Sequence, residues 1–280
     1  MAGEGKVFGE EIVKEVLFRV HRFSPDGGGA RMQEYRVPVR RGMTVLEGLH
    51  YIRDNLDATL SYRFSCRMAI CGSCGMFING LPRLACQTQI LELESDLIEV
   101  KPLPNYRVIK DLVPDLSPFF EKHRSLMPYI IRQDEPEGEL LQSPEELNAY
   151  LQFAYCIKCG LCYAACPTVA TDEEYFGPQA LAQAFRYTAD SRDGGWEVRM
   201  EVACSPEGLW HCHFAGACSE ACPKGVDPAL AIQLLKGEAV FVRWGLKRLH
   251  PPAPEAPKVT EGKRREGIPE PPPPTVSKEE

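Results

Sequence analysis

The stretch Cys156-Ile-Lys-Cys-Gly-Leu-Cys-Tyr-Ala-Ala-Cys-Pro167 decides the reading of this chain. Its spacing, C-x2-C-x2-C-x3-C-P, is the bacterial ferredoxin run. There, three closely spaced thiolates hold one 4Fe–4S cluster and the fourth serves a second cluster nearby. A partner run is therefore required downstream, and residues 212–223 supply it. Cys212, Ala215, Cys218 and Cys222, followed by Pro223, repeat the spacing with alanine in the second slot. Crossing of the fourth ligands assigns Cys156, Cys159, Cys162 and Cys222 to a complete 4Fe–4S cluster. It leaves Cys166, Cys212 and Cys218 for the other. An iron facing the Ala215 methyl has no thiolate, so the simplest product there is 3Fe–4S. Cys204 stands outside both runs. It reads as a spare buried thiol, since free cysteine behaves as a small hydrophobe, or as an adventitious fourth ligand.

Upstream, Cys66, Cys71, Cys74 and Cys86 give C-x4-C-x2-C-x11-C. The first spacings match the plant-type ferredoxin pattern for 2Fe–2S. A tight loop delivers three thiolates and a strand-borne fourth closes the cage. Gly72 and Gly75 suit a loop whose backbone approaches the sulfurs closely, where amide groups stabilise cluster charge. The competing reading is a zinc site, but zinc prefers paired C-x2-C knuckles and C-x4-C departs from that.

The rest of the chain fits this picture. All twelve cysteines of the 280 residues fall at or after Cys66, with none between Cys86 and Cys156. Clustered thiols in a reducing compartment imply metal rather than disulfides. The net charge of −7 argues against a nucleic-acid partner. No window approaches 18 uninterrupted apolar residues, and the first residues carry no signal-peptide pattern, so the compartment reads as cytoplasmic. Residues 15–23 and 33–39 read as a strand hairpin. Thr44 with Glu47 opens a helix through a capping box, and residues 75–79 and 97–101 read as strands. A connecting segment over residues 106–142 is rich in proline. Beyond it, residues 144–154, 178–187 and 228–247 read as helices, the first and last capped by Ser143 and Asp227. The tail 251–280 holds nine prolines and reads as disordered. The expected class is α+β: an N-terminal β-grasp, plant-type ferredoxin-like domain over residues 1–105, then a mainly α-helical, bacterial two-cluster ferredoxin-like domain over residues 143–250.

Three stretches together resemble one family. They are Ser65-Cys-Arg-Met-Ala-Ile-Cys-Gly-Ser-Cys-Gly-Met76, the 156–167 run, and Cys218-Ser-Glu-Ala-Cys-Pro-Lys-Gly-Val-Asp-Pro228. With Leu60-Ser-Tyr-Arg63, Pro128-Tyr-Ile-Ile131 and Asp190-Ser-Arg-Asp193, they resemble the iron–sulfur subunit of succinate dehydrogenase and fumarate reductase. Cys74, where some members carry aspartate, looks closer to the fumarate reductase branch. The resemblance covers roughly residues 15–248. It implies a flavoprotein subunit carrying FAD and the dicarboxylate site. It also implies a membrane anchor that binds quinone and often haem, and a peripheral place on the cytoplasmic face of the cell membrane. Electrons then run between FAD and quinone through 2Fe–2S, 4Fe–4S and 3Fe–4S clusters. The chain itself has no G-x-G-x-x-G after a strand and no acid–base constellation, so no catalytic residue is assigned to it.

By the same resemblance the quinone meets the 3Fe–4S end, near Pro167, Trp210, His213 and Lys236. A cation or imidazole there stabilises reduced quinone charge. The plain alternatives are a cluster-supporting His213 and a solvated Lys236. Thr168-Val-Ala170 follows Pro167 where succinate dehydrogenases often carry tryptophan, so that wall of the pocket differs. Arg243, Trp244, Lys247 and Arg248 suggest lipid headgroups or an anchor subunit. Residues 106–111 suggest a flavoprotein contact. Two other classes compete with this reading: a thiol-coupled reductase, whose Cys-Cys-Gly modules are absent, and a zinc-stabilised interaction module.

Overall fold

The computed structural model describes residues 6–243 apart from 8, 9, 28 and 135–137. The tail 251–280 and the Trp244, Lys247 and Arg248 segment lie outside the described residues, as does the side chain of Arg243.

The N-terminal unit is a five-stranded mixed sheet. Its order is Arg31–Val39, Lys14–Arg22, Leu97–Lys101, Gly75–Ile78 and Leu81–Leu84. Only the Lys14–Arg22 and Leu97–Lys101 pair runs parallel. Side chains alternate across a strand, so Val16, Phe18 and Val20 enter the core together with Val37 and Val39 from the neighbouring strand. The helix Val45–Tyr51 lies on that face. Thr44 accepts the Glu47 amide at 3.3 Å, and Glu47 accepts the Thr44 amide at 2.9 Å, which closes the capping box. Gly48 lets the helix sit directly on the Phe18 ring: a Cβ there would lie 2.5 Å from Phe18 Cζ.

The C-terminal unit is helical and centres on Pro178–Thr188, whose Leu181, Ala184 and Phe185 are buried. Pro228–Arg243 packs along it. The expected single helix over 144–154 is two short pieces, Pro144–Asn148 and Leu151–Ala154, with a break at Ala149 and Tyr150. The proline-rich connecting segment is not bare. It carries the helix Ser117–Ser125, and its Phe119, with Leu126 just beyond, is buried in the helical core.

Two of the sequence motifs form one clasp. Arg199, fully buried, makes a two-pronged pair with Asp193 (2.7 and 3.1 Å) and donates to the Tyr129 carbonyl at 3.0 Å. Asp193 also accepts the Ile131 amide at 2.9 Å. The 128–131 and 190–193 stretches therefore hold each other. Removing either partner would strand a buried charge, a defect of about 3–5 kcal/mol.

Candidate iron–sulfur sites

The loop from Cys66 to Cys71 turns its amides toward sulfur. Cys66 Sγ accepts from the amides of Cys71 (3.2 Å), Ile70 (3.3 Å) and Met68 (3.4 Å). Ala69 donates to Cys86 Sγ at 3.3 Å, and Cys86 donates to Cys74 Sγ at 3.5 Å. The turn is made by left-handed backbone at Arg67, Ala69 and Gly72, so successive amides line a concavity suited to negative charge. These backbone donors, that of Met68 first, lower the Cys66 thiol to about 6. Burial instead raises Cys74 to about 12. A thiol so raised becomes a thiolate only against a cation, which a bound metal provides. The four thiols and their amides fit a 2Fe–2S cluster.

The two downstream runs share one backbone. Lys158 and Gly160 are left-handed in the first, Phe214 and Gly216 in the second. Each glycine opens a four-residue helix, Leu161–Ala164 or Ala217–Glu220. The thiols then gather across the runs. Burial raises the Cys156, Cys159 and Cys162 thiols, and Cys222 lies close enough to add to each. Burial raises Cys218 to about 11, with Cys166 and Cys212 adding to it. Cys166, Cys212, Cys218 and Ala215 line one cavity, which His213 and Phe214 also border. Cys162 and Cys218 share a small buried cluster with Ala229, so the two groups adjoin. Among the described residues no three His, Cys, Asp or Glu side chains could hold a single metal ion. Thiols around a multi-iron cage are spaced by the cage. Burial alone raises Cys204, and its neighbourhood is the edge of the helical core.

Neighbours that the motifs did not reveal complete both sites. The Tyr175 hydroxyl lies beside Cys212. Gln179 lies beside Cys156, and its amide lies 3.2 Å from buried His123 Nδ1. Asn105 donates to the carbonyls of Tyr163, Ala164 and Cys166 at 3.1–3.2 Å, gripping the end of the helix that carries Cys162. Tyr106 donates to the Gly160 carbonyl at 3.0 Å. Asp111 accepts from Arg22 at 3.0 Å, deep in the first unit. Within residues 106–111, Tyr106 and Asp111 thus face inward, and Arg107 and Ile109 are the exposed members.

Of the residues singled out for the quinone end, Lys236 is half-buried and donates to the Cys212 carbonyl at 3.0 Å, with its Nζ 5.8 Å from the Trp210 ring centre. Trp210, His213 and Pro167 are exposed. So are Phe214 and, on the last helix, Leu230, Leu234 and Val240.

A plant-type and a bacterial-type ferredoxin unit in one chain define an iron–sulfur electron-transfer protein. Residues 17–121 match the 2Fe-2S iron-sulfur cluster binding domain family, and residues 152–226 match the 4Fe-4S dicluster domain family. The chain is 48% identical to the fumarate reductase iron-sulfur subunit of Mycobacterium tuberculosis over 80% of its length and 93% of the relative's. It is 45% identical to that of Escherichia coli O157:H7 over 81% and 94%. The mitochondrial succinate dehydrogenase iron-sulfur subunit of Candida glabrata is 38% identical over 80% and 91%. A chain of the Mycobacterium smegmatis Sdh1 complex in the apo form superposes with a TM-score of 0.76 at 29% identity, covering 82% of this chain and 97% of that one. The chain belongs to the iron–sulfur subunits of fumarate reductase and succinate dehydrogenase. Among the described residues no helix is long and apolar enough to cross a membrane.

Proposed function

We propose that this subunit relays electrons between a flavoprotein partner carrying FAD and a quinone at a membrane anchor. Cys66, Cys71, Cys74 and Cys86 hold 2Fe–2S. Cys156, Cys159, Cys162 and Cys222 hold 4Fe–4S, and Cys166, Cys212 and Cys218 hold 3Fe–4S. The reading is supported by one pattern of neighbours: Cys74 feels Cys86 and Cys71, Cys162 feels Cys159, Cys156, Cys218 and Cys222, Cys218 feels Cys166 and Cys212, and burial alone acts on Cys204. Bound clusters supply one-electron chemistry at potentials set by cluster type, hydrogen bonds and exposure. The chain supplies the rest. Amides stabilise negative charge at the Cys66 end, and apolar burial excludes water around Cys162. Lys236, with His213 and Trp210, sits at the exposed end, where a quinone oxygen would be bound and its reduced charge stabilised. Exposed Leu230, Leu234 and Val240 support an apolar anchor surface beside it, as at a membrane-side docking face. The complex then lies on the cytoplasmic face of the cell membrane, with the dicarboxylate chemistry on the flavoprotein. Co-purification from detergent-solubilised membranes tests the assembly. A flavoprotein and a quinone-binding, haem-containing anchor are expected with the chain; recovery as a lone carrier contradicts it.

A further inference from the structure

The two ferredoxin-like units meet where their ligand loops meet. Gly72 lies between Cys71 and Cys74, is buried, and adopts left-handed backbone with φ +72°. Its neighbour across the seam is Cys159 of the first bacterial-type run. A Cβ on Gly72 would lie 2.7 Å from Cys159 Cβ and 2.8 Å from Cys159 Cα. Real side chains do not tolerate such distances, and the second atom is backbone and cannot swing away. The Gly72 Cα itself therefore packs on Cys159. Gly75 extends the seam: a Cβ there would meet Leu161 Cδ2 at 3.1 Å and the Cys159 carbonyl at 3.4 Å. Leu161 is fully buried in the core of the first unit although it belongs to the second run. The glycine at position 72 thus has two causes. One is the turn. The other is the approach of a chain segment 87 residues further on.

We infer that Gly72 is a positioning residue for the relay: its bare backbone lets the loop of one cluster rest directly on a ligand of the next. This rests on the ligand sets proposed above. The transfer served is a single electron, lost on the 2Fe–2S side and gained on the 4Fe–4S side, with no bond broken and no proton moved. Electronic coupling falls steeply with separation, so a seam without an intervening side chain favours rapid transfer. Any Cβ at this position pushes Cys159 away from the first unit.

The test uses the purified membrane complex with Gly72→Ala, and Gly80→Ala as its control. Gly80 has the same left-handed backbone, φ +80°, but no heavy atom within 4 Å of a built Cβ. The control therefore carries the strain without the contact. Iron, acid-labile sulfide and the EPR signals of the separate reduced clusters are expected to be retained in both. In Gly72→Ala the spin–spin interaction between reduced 2Fe–2S and reduced 4Fe–4S weakens. Dicarboxylate-to-quinone turnover falls about tenfold or more, as small misplacements of reacting groups do, while Gly80→Ala stays near wild type. Gly75→Ala, without left-handed strain, shifts the seam by less and gives a smaller loss of coupling in the same direction. Unchanged spin–spin interaction in both Gly72→Ala and Gly75→Ala would overturn the inference. So would selective loss of the 2Fe–2S signal in Gly72→Ala, which would make Gly72 a cluster-loop residue only. If the wild-type complex lacked the 2Fe–2S or 4Fe–4S signal, the ligand assignment would be what fails, and that measurement comes first.

Discussion

The runs at 156–167 and 212–223 share a backbone and differ in what surrounds it. Both place left-handed residues two and four positions after the first cysteine, and both follow with one turn of helix. The second slot is Cys159 in one and Ala215 in the other. Cys159 is half-buried against Gly72, at the seam between the two units. Ala215 is exposed, between exposed His213 and Phe214 and their neighbour Gly216. The first position differs too. Cys156 is backed by Gln179 and buried His123, whereas the Cys212 carbonyl accepts from Lys236. A repeated backbone thus sits in two different surroundings: the first run is enclosed against the other unit, and the second opens outward. In the proposed relay the first would hand electrons across the seam and the second would serve a diffusing partner.

Exchanging the second slots breaks this comparison most severely. Cys159→Ala makes the first run like the second. It should abolish the 4Fe–4S signal and cut quinone-coupled turnover by more than the roughly 10–100-fold that follows loss of an outer partner of a metal ligand. Ala215→Cys makes the second run like the first. It should replace the oxidised 3Fe signal with that of a second 4Fe–4S cluster while the protein stays assembled, with turnover reduced about tenfold, since potential follows cluster type. EPR with iron analysis reads both; a persistent 3Fe signal in Ala215→Cys would show that the corner is not facing residue 215.

The first positions give smaller effects. Burial, aided by the charge of Lys158, holds the His123 imidazole down at about 4. Its folded value lies below the unfolded value near 6.5, so the unfolded chain binds the proton more readily. The stabilising contribution is complete above about pH 6.5 and is lost as pH falls through 4, by roughly 3 kcal/mol in all. His123→Gln should lose less stability than wild type between pH 7 and pH 4 in denaturant titrations. Equal losses in the two proteins would remove His123 from the account. Lys236→Ala, at the open site, should leave cluster content intact and raise the quinone KM several-fold, on the order of the 1 kcal/mol carried by one hydrogen bond. An unchanged KM would return Lys236 to a purely local role beneath Trp210.

Much of this was legible because local rules dominated. The capping boxes at Thr44 and Ser143 form as read, and Asp227 caps the last helix by accepting the Leu230 amide at 2.9 Å. The strand pairing at 14–22 and 31–39 follows its alternation. The two bacterial-type runs take the same left-handed loop and single helical turn, since short loops leave the backbone little choice. What escaped had long-range causes. Leu81–Leu84 is an edge strand containing Pro82, with no alternation to announce it. Trp196–Ala203 breaks amphipathic pattern because Arg199 is buried, a cost met by Asp193. Arg67 and Ala69 adopt left-handed backbone without being glycine, held by amide–sulfur contacts. Gly72 was read as serving its own cluster loop, and only the folded seam brings Cys159 against it.

The central claim is that the thiols hold three different clusters and that the one at Ala215 lacks a fourth thiolate. The most direct measurement is EPR of the oxidised, purified complex, combined with iron, zinc and acid-labile sulfide analysis. The account predicts iron and sulfide for one 2Fe–2S, one 4Fe–4S and one 3Fe–4S cluster, with a 3Fe signal present on oxidation. Zinc in place of iron, or full cluster content with no oxidised 3Fe signal, would contradict it.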